Sequence, residues 1–187
     1  MPRNIEIKAR IDSVEALLPR ALALTGAQAA ELLHQDDSFF TVAHGRLKLR
    51  EFGDGGAELI HYHRADSTEA KTSDYVLVPV LAAAELREAL GRACGPPRRV
   101  RKQRWLLLAD DGHFTTRIHL DRVEGLGDFM ELEVTLRDGQ SDVEGRAVAE
   151  SLMDALGLAG AERLAGAYLD LLADVSSSGG SASARKS

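Results

Sequence analysis

The chain has 187 residues, a hydrophobic content of 44%, a charged content of 28% and a formal net charge of -6. This length allows one domain with a full core, and the acidic balance argues against a wholesale nucleic-acid-binding protein, which is usually basic. Cys94 is the only cysteine, which excludes an internal disulfide and a cysteine-built zinc site. No apolar segment is long enough for a membrane span or a signal-peptide core, so we expect a soluble cytoplasmic protein.

The first half of the chain alternates between apolar and charged residues, which is the period of a β-strand. In residues 4–11, Ile5 and Ile7 share one face, and Glu6 and Lys8 share the other. A helix is predicted to follow Asp12, its capping residue, with Glu15 as the capping-box partner, and to end at Gly26. The remaining strands predicted in this half are residues 35–42, 46–52, 58–64 and 75–80.

The second half combines strands and helices. A helix is predicted over residues 82–94, and Ser141 with Glu144 forms a capping box that predicts another helix, ending near residue 156. The predicted strands are residues 100–108, 113–123 and 129–137, and an amphipathic helix is predicted over residues 161–172. Residues 1–174 therefore form one α+β domain, and the Ser/Gly-rich tail at 175–187 is predicted to be disordered.

The polar faces of the predicted strands carry mostly Arg and Lys, with acids concentrated on two strands. Taken singly, each face could be the solvent-exposed side of an antiparallel sheet. If the sheet closes into a barrel, these faces instead meet in one interior and no edge stays exposed. Unpaired buried cations are costly, so such an interior would need an anion, and polyphosphate suits Arg and Lys.

The acidic residues point to a metal. Glu131 and Glu133 are two apart on one strand and project to the same side, and Glu6 and Asp121 could converge with them. Carboxylates of this kind suit Mg²⁺ or Mn²⁺. The chain has neither a glycine-rich phosphate loop ending in Lys-Ser/Thr nor a nucleophile-elbow serine.

Several segments combine these charges in a specific order. They are Asn4-Ile5-Glu6-Ile7-Lys8, Gln35-Asp36-Asp37-Ser38-Phe39-Phe40, Arg46-Leu47-Lys48-Leu49-Arg50, Arg117-Ile118-His119-Leu120-Asp121 and Leu126-Gly127-Asp128-Phe129-Met130-Glu131-Leu132-Glu133. Together they resemble the CYTH family, which groups class IV adenylyl cyclases with thiamine-triphosphatase-like and inorganic triphosphatases. The resemblance extends from Asn4 to about Leu172.

The resemblance implies a triphosphate tunnel, a closed eight-stranded antiparallel barrel with a charged interior and flanking helices. By position, the expected metal ligands are Glu6, Asp121, Glu131 and Glu133. The expected phosphate-binding residues are Lys8, Lys48, Arg50, Arg64, Lys102, Arg104 and Arg117. The expected catalytic residues are Lys8, Arg64 and Lys71.

Two positions depart from the family pattern. Asn4 replaces the first glutamate of the Glu-x-Glu-x-Lys signature, so a second metal ion is expected to bind weakly or not at all. Phe39 stands where a tyrosine is common, which removes a hydroxyl that could share a proton relay with Lys8.

The resemblance leaves three activities open. Hydrolysis of a triphosphate demands the fewest parts and is the expected reaction. The alternatives are a class IV adenylyl cyclase, which converts ATP to cyclic AMP and pyrophosphate, and a non-catalytic module that binds nucleotide or polyphosphate. We expect a triphosphate-containing small molecule as the partner, with no nucleic acid and no membrane. The oligomeric state stays open, a homodimer included.

Overall fold

The structure is a computed structural model that describes residues 3–64 and 68–179. The side chains of Arg64, Lys71 and residues 175–179 lie outside this description. The described elements, in chain order, are β1 (Arg3–Arg10), α1 (Val14–Thr25), β2 (Glu31–Phe40), β3 (Arg46–Phe52), β4 (Ala57–Arg64), β5 (Lys71–Pro79), α2 (Ala83–Cys94), β6 (Arg98–Asp110), β7 (Thr115–Val123), β8 (Gly127–Leu136), α3 (Asp142–Ala155) and α4 (Tyr168–Gly179).

The strands form one closed antiparallel barrel in the order β1-β5-β4-β3-β2-β6-β7-β8. This confirms the predicted barrel with flanking helices. β1 closes the ring, because it pairs with β8 along its whole length and with β5 over Arg3 to Glu6. Short turns join β3 to β4, β6 to β7 and β7 to β8. Gly55 closes the β3–β4 turn at φ 91°, a conformation that residues with a side chain rarely adopt.

The main hydrophobic core lies on the outside of the barrel wall. The outward side chains of β1, β7 and β8 are fully buried or nearly so, among them Ile7, Ile118 and Leu132. Helices α1 and α3 cover them and contribute apolar residues to the same cluster. α3 approaches closely at Gly145, where an added Cβ would lie 2.7 Å from Leu136 Cδ2. The barrel wall is therefore stabilised from outside.

Two smaller apolar clusters complete the packing. α2 covers the outer face of β2 and β3, where Phe40 and Leu49 pack against Leu86. α4 lies across one end of the barrel, where Tyr168 and Leu169 pack with residues from the ends of β2, β6, β7 and β8. None of the helices in the described part of the chain has the length and apolar character needed to cross a membrane.

The helix boundaries confirm two predicted caps and correct a third. Gly26 ends α1 in a left-handed conformation with φ 68°, and Ser141 and Glu144 form the predicted capping box of α3. The predicted cap of α1 at Asp12 is wrong, because Ser13 is the N-cap and its Oγ accepts a hydrogen bond from the Ala16 N–H at 3.2 Å. β5 also begins earlier than predicted, at Lys71.

The predicted last helix, over residues 161–172, is wrong in position. Residues 162–164 instead run beside β1, where the Arg10 N–H donates to the Glu162 carbonyl and the Leu164 N–H donates to the Lys8 carbonyl. This part of β1 lies beyond its pairing with β5, so the segment supplies hydrogen-bond partners to the strand. α4 begins only at Tyr168 and reaches Gly179, within the stretch assigned to the tail. Residues 180–187 lie outside the described residues, and their disorder stays a prediction.

Candidate functional site

The inward faces of the strands surround a cavity of about 360 Å³. Its lining includes most of the predicted site residues, namely Glu6, Lys8, Lys48, Arg50, Lys102, Arg104, Arg117, Glu131 and Glu133. Asp121 lies behind this surface and is fully buried. The side chains of the predicted residues Arg64 and Lys71 lie outside the described part of the structure. Barrel closure has therefore brought the predicted lining residues from five strands, namely β1, β3, β6, β7 and β8, to one cavity.

One side of the cavity, which we call the β2–β3 wall, consists of Asp37, Lys48 and Arg50. Asp37 and Arg50 are opposite each other in the strand register, and Arg50 donates to both carboxylate oxygens at 2.7 Å. Lys48 Nζ donates to Asp37 Oδ2 at 3.1 Å. One carboxylate thus holds two cations, which leaves this wall with a net positive charge.

Electrostatics on the β2–β3 wall follow from this imbalance. Burial would raise the pKa of Asp37, but the charges of Arg50 and Lys48 hold it far below its usual value. Burial and the Arg50 charge lower the pKa of Lys48 to about 8, against the opposing effect of Asp37. Lys48 is therefore held as a cation mainly by its carboxylate partner, and an added anion would stabilise its charge.

A second side of the cavity, the β6–β8 wall, adjoins the first through the pairing of β2 with β6 and consists of Lys102, Arg104, His119, Asp121, Glu131 and Glu133. Arg104 donates to both Asp121 oxygens at 2.6 Å, in the same two-bond geometry as on the other wall. Lys102 Nζ lies 3.5 Å from Asp121 Oδ2, and burial and the Arg104 charge lower the pKa of Lys102 to about 7. Each wall thus contains an Asp–Arg pair with a lysine beside it.

The β6–β8 wall carries further carboxylates. Arg104 Nη2 also donates to Glu131 Oε2 at 3.0 Å, and Lys8 Nζ lies 3.4 Å from Glu131 Oε1. Burial would raise the pKa of Glu131. The Lys8 charge and the His119 and Arg104 side chains instead hold this pKa well below its usual value. Arg117 Nη1 lies 3.7 Å from Glu133 Oε2. Glu131 is therefore ionised, and both glutamates face the cavity.

These pairs change the expected electrostatics of the interior. The sequence predicted basic side chains that need an external anion to balance them. In the structure, the buried cations Lys8, Arg50, Lys102 and Arg104 and the partly buried Lys48 each have a carboxylate partner. The barrel can therefore fold with its own counter-charges, and a ligand would compete with Asp and Glu for the cations.

A group of possible metal ligands lies on the β6–β8 wall. One ligand atom each from His119, Glu131 and Glu133 lies within 4.8 Å of the other two. Two carboxylates and an imidazole are donors that suit a divalent cation, so these residues fit the predicted metal. Glu6 faces Glu133 in the β1–β8 register and lines the same cavity. Asp121 instead holds Arg104 and Lys102, and its role as a metal ligand stays a prediction.

Sequence reasoning missed three residues at this site. Sequence reasoning placed His119 only within the segment from Arg117 to Asp121, with no role of its own, although its place between two charged residues of the same strand face was a signal. Asp37 was seen only as part of a motif, yet it organises the β2–β3 wall. Tyr168 gave no signal, because its hydroxyl reaches Asp121 Oδ2 (2.9 Å) only once α4 lies across the barrel end.

Phe39 has no hydroxyl, but Tyr168 supplies one to the same cavity. Its ring centroid lies 4.1 Å from Lys8 Nζ and 5.2 Å from Lys102 Nζ, so both ammonium groups contact its aromatic face. Burial and the Asp121 charge raise the pKa of the Tyr168 hydroxyl well above its usual value, so it stays protonated and donates. The end of the tunnel at α4 therefore couples both lysines to Asp121 through one aromatic residue.

Comparison with known proteins gives a family and a set of folds. The family model of the CYTH domain matches residues 2–168. A search of curated proteins gives no match. The Pyrococcus horikoshii protein PH1012 superposes with a TM-score of 0.74 at 22% identity, covering 90% of this chain and 98% of that one.

Two further solved structures share the fold. A proposed adenylate cyclase from Vibrio parahaemolyticus has a TM-score of 0.72 at 19% identity, covering 91% of this chain and 97% of its own. A proposed adenylyl cyclase from Hippeastrum, described as having a dominant triphosphatase activity, has a TM-score of 0.64 at 12% identity, covering 94% and 96% of the two chains. At these identities the likeness establishes the barrel fold.

Proposed function

The chain belongs to the CYTH family, and from that premise we propose that it binds a triphosphate in its tunnel and hydrolyses a phosphoanhydride bond with the help of a divalent metal. One observation carries the proposal. A single cavity is lined both by cations from the β2–β3 and β6–β8 walls and by a group of possible metal ligands. Polyphosphate is the ligand that uses both, because its oxygens bind Arg and Lys and also complete the coordination of a metal.

The geometry of the arginines on the two walls supports their proposed role as phosphate ligands. Asp37 and Asp121 accept hydrogen bonds from Nε and Nη2 of Arg50 and Arg104, respectively. A guanidinium has five N–H donors, so the Nη1 donors remain for a ligand and the plane of each group is already fixed. Such preorganised donors need little rearrangement when charge develops on a phosphate oxygen.

The lysines would respond to the ligand more than the arginines. Lys48 and Lys102 have pKa values lowered to about 8 and about 7, so an incoming phosphate stabilises their charged forms. Lys8, Lys48, Arg50, Lys102, Arg104 and Arg117 are thus proposed phosphate ligands, together with Arg64. Lys8, Arg64 and Lys71 are proposed as the catalytic groups nearest the reacting phosphate.

Metal ligands are proposed from the carboxylates of the wall. Glu131 and Glu133, with Glu6 opposite in the register and Asp121 behind, would hold Mg²⁺ or Mn²⁺. The bound ion would neutralise phosphate charge and help to orient water for attack on the terminal phosphorus. The chain itself binds and orients the phosphates, and the reaction needs no covalent nucleophile. Asn4 offers a neutral amide oxygen, whereas a glutamate at this position would offer a negatively charged carboxylate.

A second candidate, adenylyl cyclase, is favoured by apolar residues at one mouth of the tunnel. Leu33, Phe52, Leu77 and Leu106 line the same cavity as the charged walls, and Leu77 is 42% exposed. Apolar surface beside a phosphate site could seat a nucleobase. The names of the Vibrio and Hippeastrum structures include a cyclase, while the Hippeastrum protein is described as mainly a triphosphatase. We place hydrolysis first, because it needs no base pocket.

The deciding experiment is a product assay. Purified protein is incubated with ATP, inorganic triphosphate or thiamine triphosphate, each with Mg²⁺ or Mn²⁺, and the products are separated. Orthophosphate release is the expected result, cyclic AMP with pyrophosphate would establish the cyclase, and tight binding without turnover would indicate a binding module. Absence of triphosphate binding would overturn all three.

Charge-neutral variants test the metal assignment in the same assay. We expect Glu131→Gln and Glu133→Gln to lower metal-dependent turnover by at least about 100-fold. Glu124→Gln, at an exposed position beyond β7, is the matched control and should retain full activity. Metal-dependent turnover that survives both tunnel variants would contradict the assignment. A cytoplasmic location and binding of a small molecule, with no nucleic acid or membrane as partner, complete the proposal.

A further inference from the structure

His119 differs in chemistry from the oxygen ligands that the sequence predicted for the metal. It lies opposite Glu131 in the β7–β8 register, and Glu133 follows two residues along β8, so the three side chains point into the tunnel together. His119 is only 3% exposed. It is a buried nitrogen donor beside the carboxylates of Glu131 and Glu133.

The Nδ1 atom of His119 has no hydrogen-bond partner, although it is buried. It lies 3.8 Å from Glu131 Oε2 and 3.8 Å from Glu133 Oε1. A buried polar atom without a partner costs free energy, and such atoms are rare in folded proteins. An atom of this kind, directed at two carboxylates, is explained if a cation binds between the three groups.

The spacing fits one ion. Metal–ligand bonds of about 2.0–2.2 Å place two ligands of the same ion about 3 Å apart at right angles and about 4.2 Å apart at most. The two 3.8 Å separations from Nδ1 lie between these limits. All three ligand atoms lie within 4.8 Å, so a small inward movement of the glutamates would complete the site.

We propose that His119 coordinates the metal through Nδ1, and that the site therefore prefers a first-row transition ion such as Mn²⁺ over Mg²⁺. Imidazole suits transition ions, whereas Mg²⁺ takes oxygen ligands almost exclusively. The inference rests on the proposed function in one respect, that the metal binds beside Glu131 and Glu133. It does not depend on which triphosphate is the substrate or on whether turnover occurs.

The cations beside Glu131 affect how tightly the site is expected to bind Mn²⁺. Glu131 Oε2, which faces His119, also accepts a hydrogen bond from Arg104, and Glu131 Oε1 contacts Lys8. A metal must therefore share Glu131 with two cations in the free protein. When a triphosphate engages those cations, Glu131 is released toward the metal, so we expect Mn²⁺ to bind more tightly in the presence of inorganic triphosphate.

The test measures Mn²⁺ directly by electron paramagnetic resonance. Free Mn²⁺ is titrated with protein, with and without inorganic triphosphate, and Mg²⁺ is added as a competitor. We expect Mn²⁺ to bind at least about tenfold more tightly than Mg²⁺, and His119→Gln to weaken Mn²⁺ binding by about 10- to 100-fold. His119→Asp replaces the nitrogen ligand by an oxygen ligand, so the ratio of Mn²⁺ affinity to Mg²⁺ affinity should decrease. His34→Gln, on an exposed position of β2, is the control and should match the wild type.

Pulsed spectra of the bound Mn²⁺ give a readout that a structural role for His119 would not produce. Coupling to the ¹⁴N nucleus of an imidazole is expected in the wild type and in His34→Gln, and it should vanish in His119→Gln. Bound Mn²⁺ without nitrogen coupling in the wild type would overturn the proposal, and so would a failure of Mn²⁺ to bind under either condition. Because the wild-type spectrum decides alone, poor folding of a variant does not weaken the test.

The spectra test the assignment of His119 as a metal ligand, and the product assay tests the hydrolase proposal, so either proposal can be contradicted without the other. If Mn²⁺ binds through nitrogen but no triphosphate is turned over, the hydrolase proposal fails and the ligand assignment stands. If metal-dependent turnover occurs and the spectra contain no nitrogen coupling, the hydrolase proposal stands and the assignment to His119 is wrong.

Discussion

The two faces of the same strands have opposite chemistry in this protein. On β8, Met130, Leu132 and Val134 point outward into the apolar cluster under α1 and α3, whereas Glu131 and Glu133 point into the tunnel. A single strand thus packs a hydrophobic core on one side and binds charge on the other. The comparison teaches that the barrel is stabilised by its outer face, which leaves the inner face available for a ligand.

The inner face also contributes to structure, but by a different route. Its cations are paired with carboxylates, and buried pairs of this kind are costly to break because one charge is left without a partner. The outer face gains stability from burial of apolar surface, which changes little with pH. The two faces should therefore respond differently to mutation, to pH and to ligand.

The largest effect is expected from the outer face. Leu132→Ala removes a fully buried side chain between the barrel and its helices and should lower the free energy of unfolding by about 3–5 kcal/mol. Urea unfolding measures the loss, and the Kd for inorganic triphosphate should stay unchanged in the protein that remains folded. Leu108→Ala, at a side chain that is 55% exposed, is the control with a loss below about 1 kcal/mol. Equal losses in the free energy of unfolding for Leu132→Ala and Leu108→Ala would contradict the proposal that the outer face holds the stabilising core.

The next effect is expected from the inner face. Arg104→Met leaves Asp121 and Glu131 with fewer partners, and we expect a loss of about 3 kcal/mol in the free energy of unfolding, because Lys102, Tyr168 and Lys8 still contact the two carboxylates. Unlike Leu132→Ala, it should also weaken triphosphate binding.

The control for Arg104 is an exposed ion pair. Arg99 pairs with Asp36 on the outer surface, and Arg99→Met should change the free energy of unfolding by less than about 1 kcal/mol. If Arg104→Met were as mild as this control and left triphosphate binding intact, the β6–β8 wall would not have the role proposed for it.

A pH titration separates the two faces, because, among the described side chains, only the inner face contains lysines that titrate near neutral pH. Lys102 and Lys48 have pKa values of about 7 and about 8 in the free protein. The negative charge of a bound phosphate is expected to raise both pKa values. Triphosphate affinity should therefore be greatest below about pH 7 and fall above it, by up to about tenfold per pH unit for each lysine that must regain a proton. Calorimetry across this pH range measures the decrease in triphosphate affinity. In Lys48→Met, affinity should fall less steeply with pH, because one of the two titrating lysines is absent. Affinity that rises with pH in the wild type and the variant alike would contradict the prediction.

The same lysines act on folding with the opposite sign. Their folded pKa values lie below the value of 10.5 in the unfolded chain, so the folded state binds fewer protons. In the absence of ligand, these two groups should make the free energy of unfolding rise as the pH increases from about 7 toward 10. The outer core contributes no such slope.

The smallest effect is expected where the two faces meet at α4. Tyr168→Phe keeps the ring against Lys8 and Lys102 but removes the hydrogen bond to Asp121, which should cost about 1 kcal/mol. Urea unfolding measures it, and Tyr75→Phe, at a partly exposed position nearer the other mouth, serves as the control. A cost equal to that of the control would mean that the hydroxyl does not stabilise Asp121.

Much of the fold followed from the sequence, because strand period and helix caps are local. Alternation placed most of the strands within a few residues, and Ser141 with Glu144 located the start of α3. The last helix was misplaced, because residues 162–164 satisfy the backbone of β1, more than 150 positions away in the chain. No local pattern reports that a distant strand needs a hydrogen-bond partner.

For the candidate site, the sequence by itself determined which residues share a polar face and which charges the tunnel contains. It determined the cations Lys48, Arg50, Lys102 and Arg104 and the acids Glu131 and Glu133, because side chains two apart on a strand point the same way. Only the tertiary structure decided how these charges pair. Barrel closure placed Arg104 between Asp121 and Glu131, set Asp37 against Arg50, and left His119 Nδ1 without a hydrogen-bond partner beside two carboxylates. The physical reason is that electrostatic pairing depends on distances of a few ångströms across strands, which are fixed only when the ring closes.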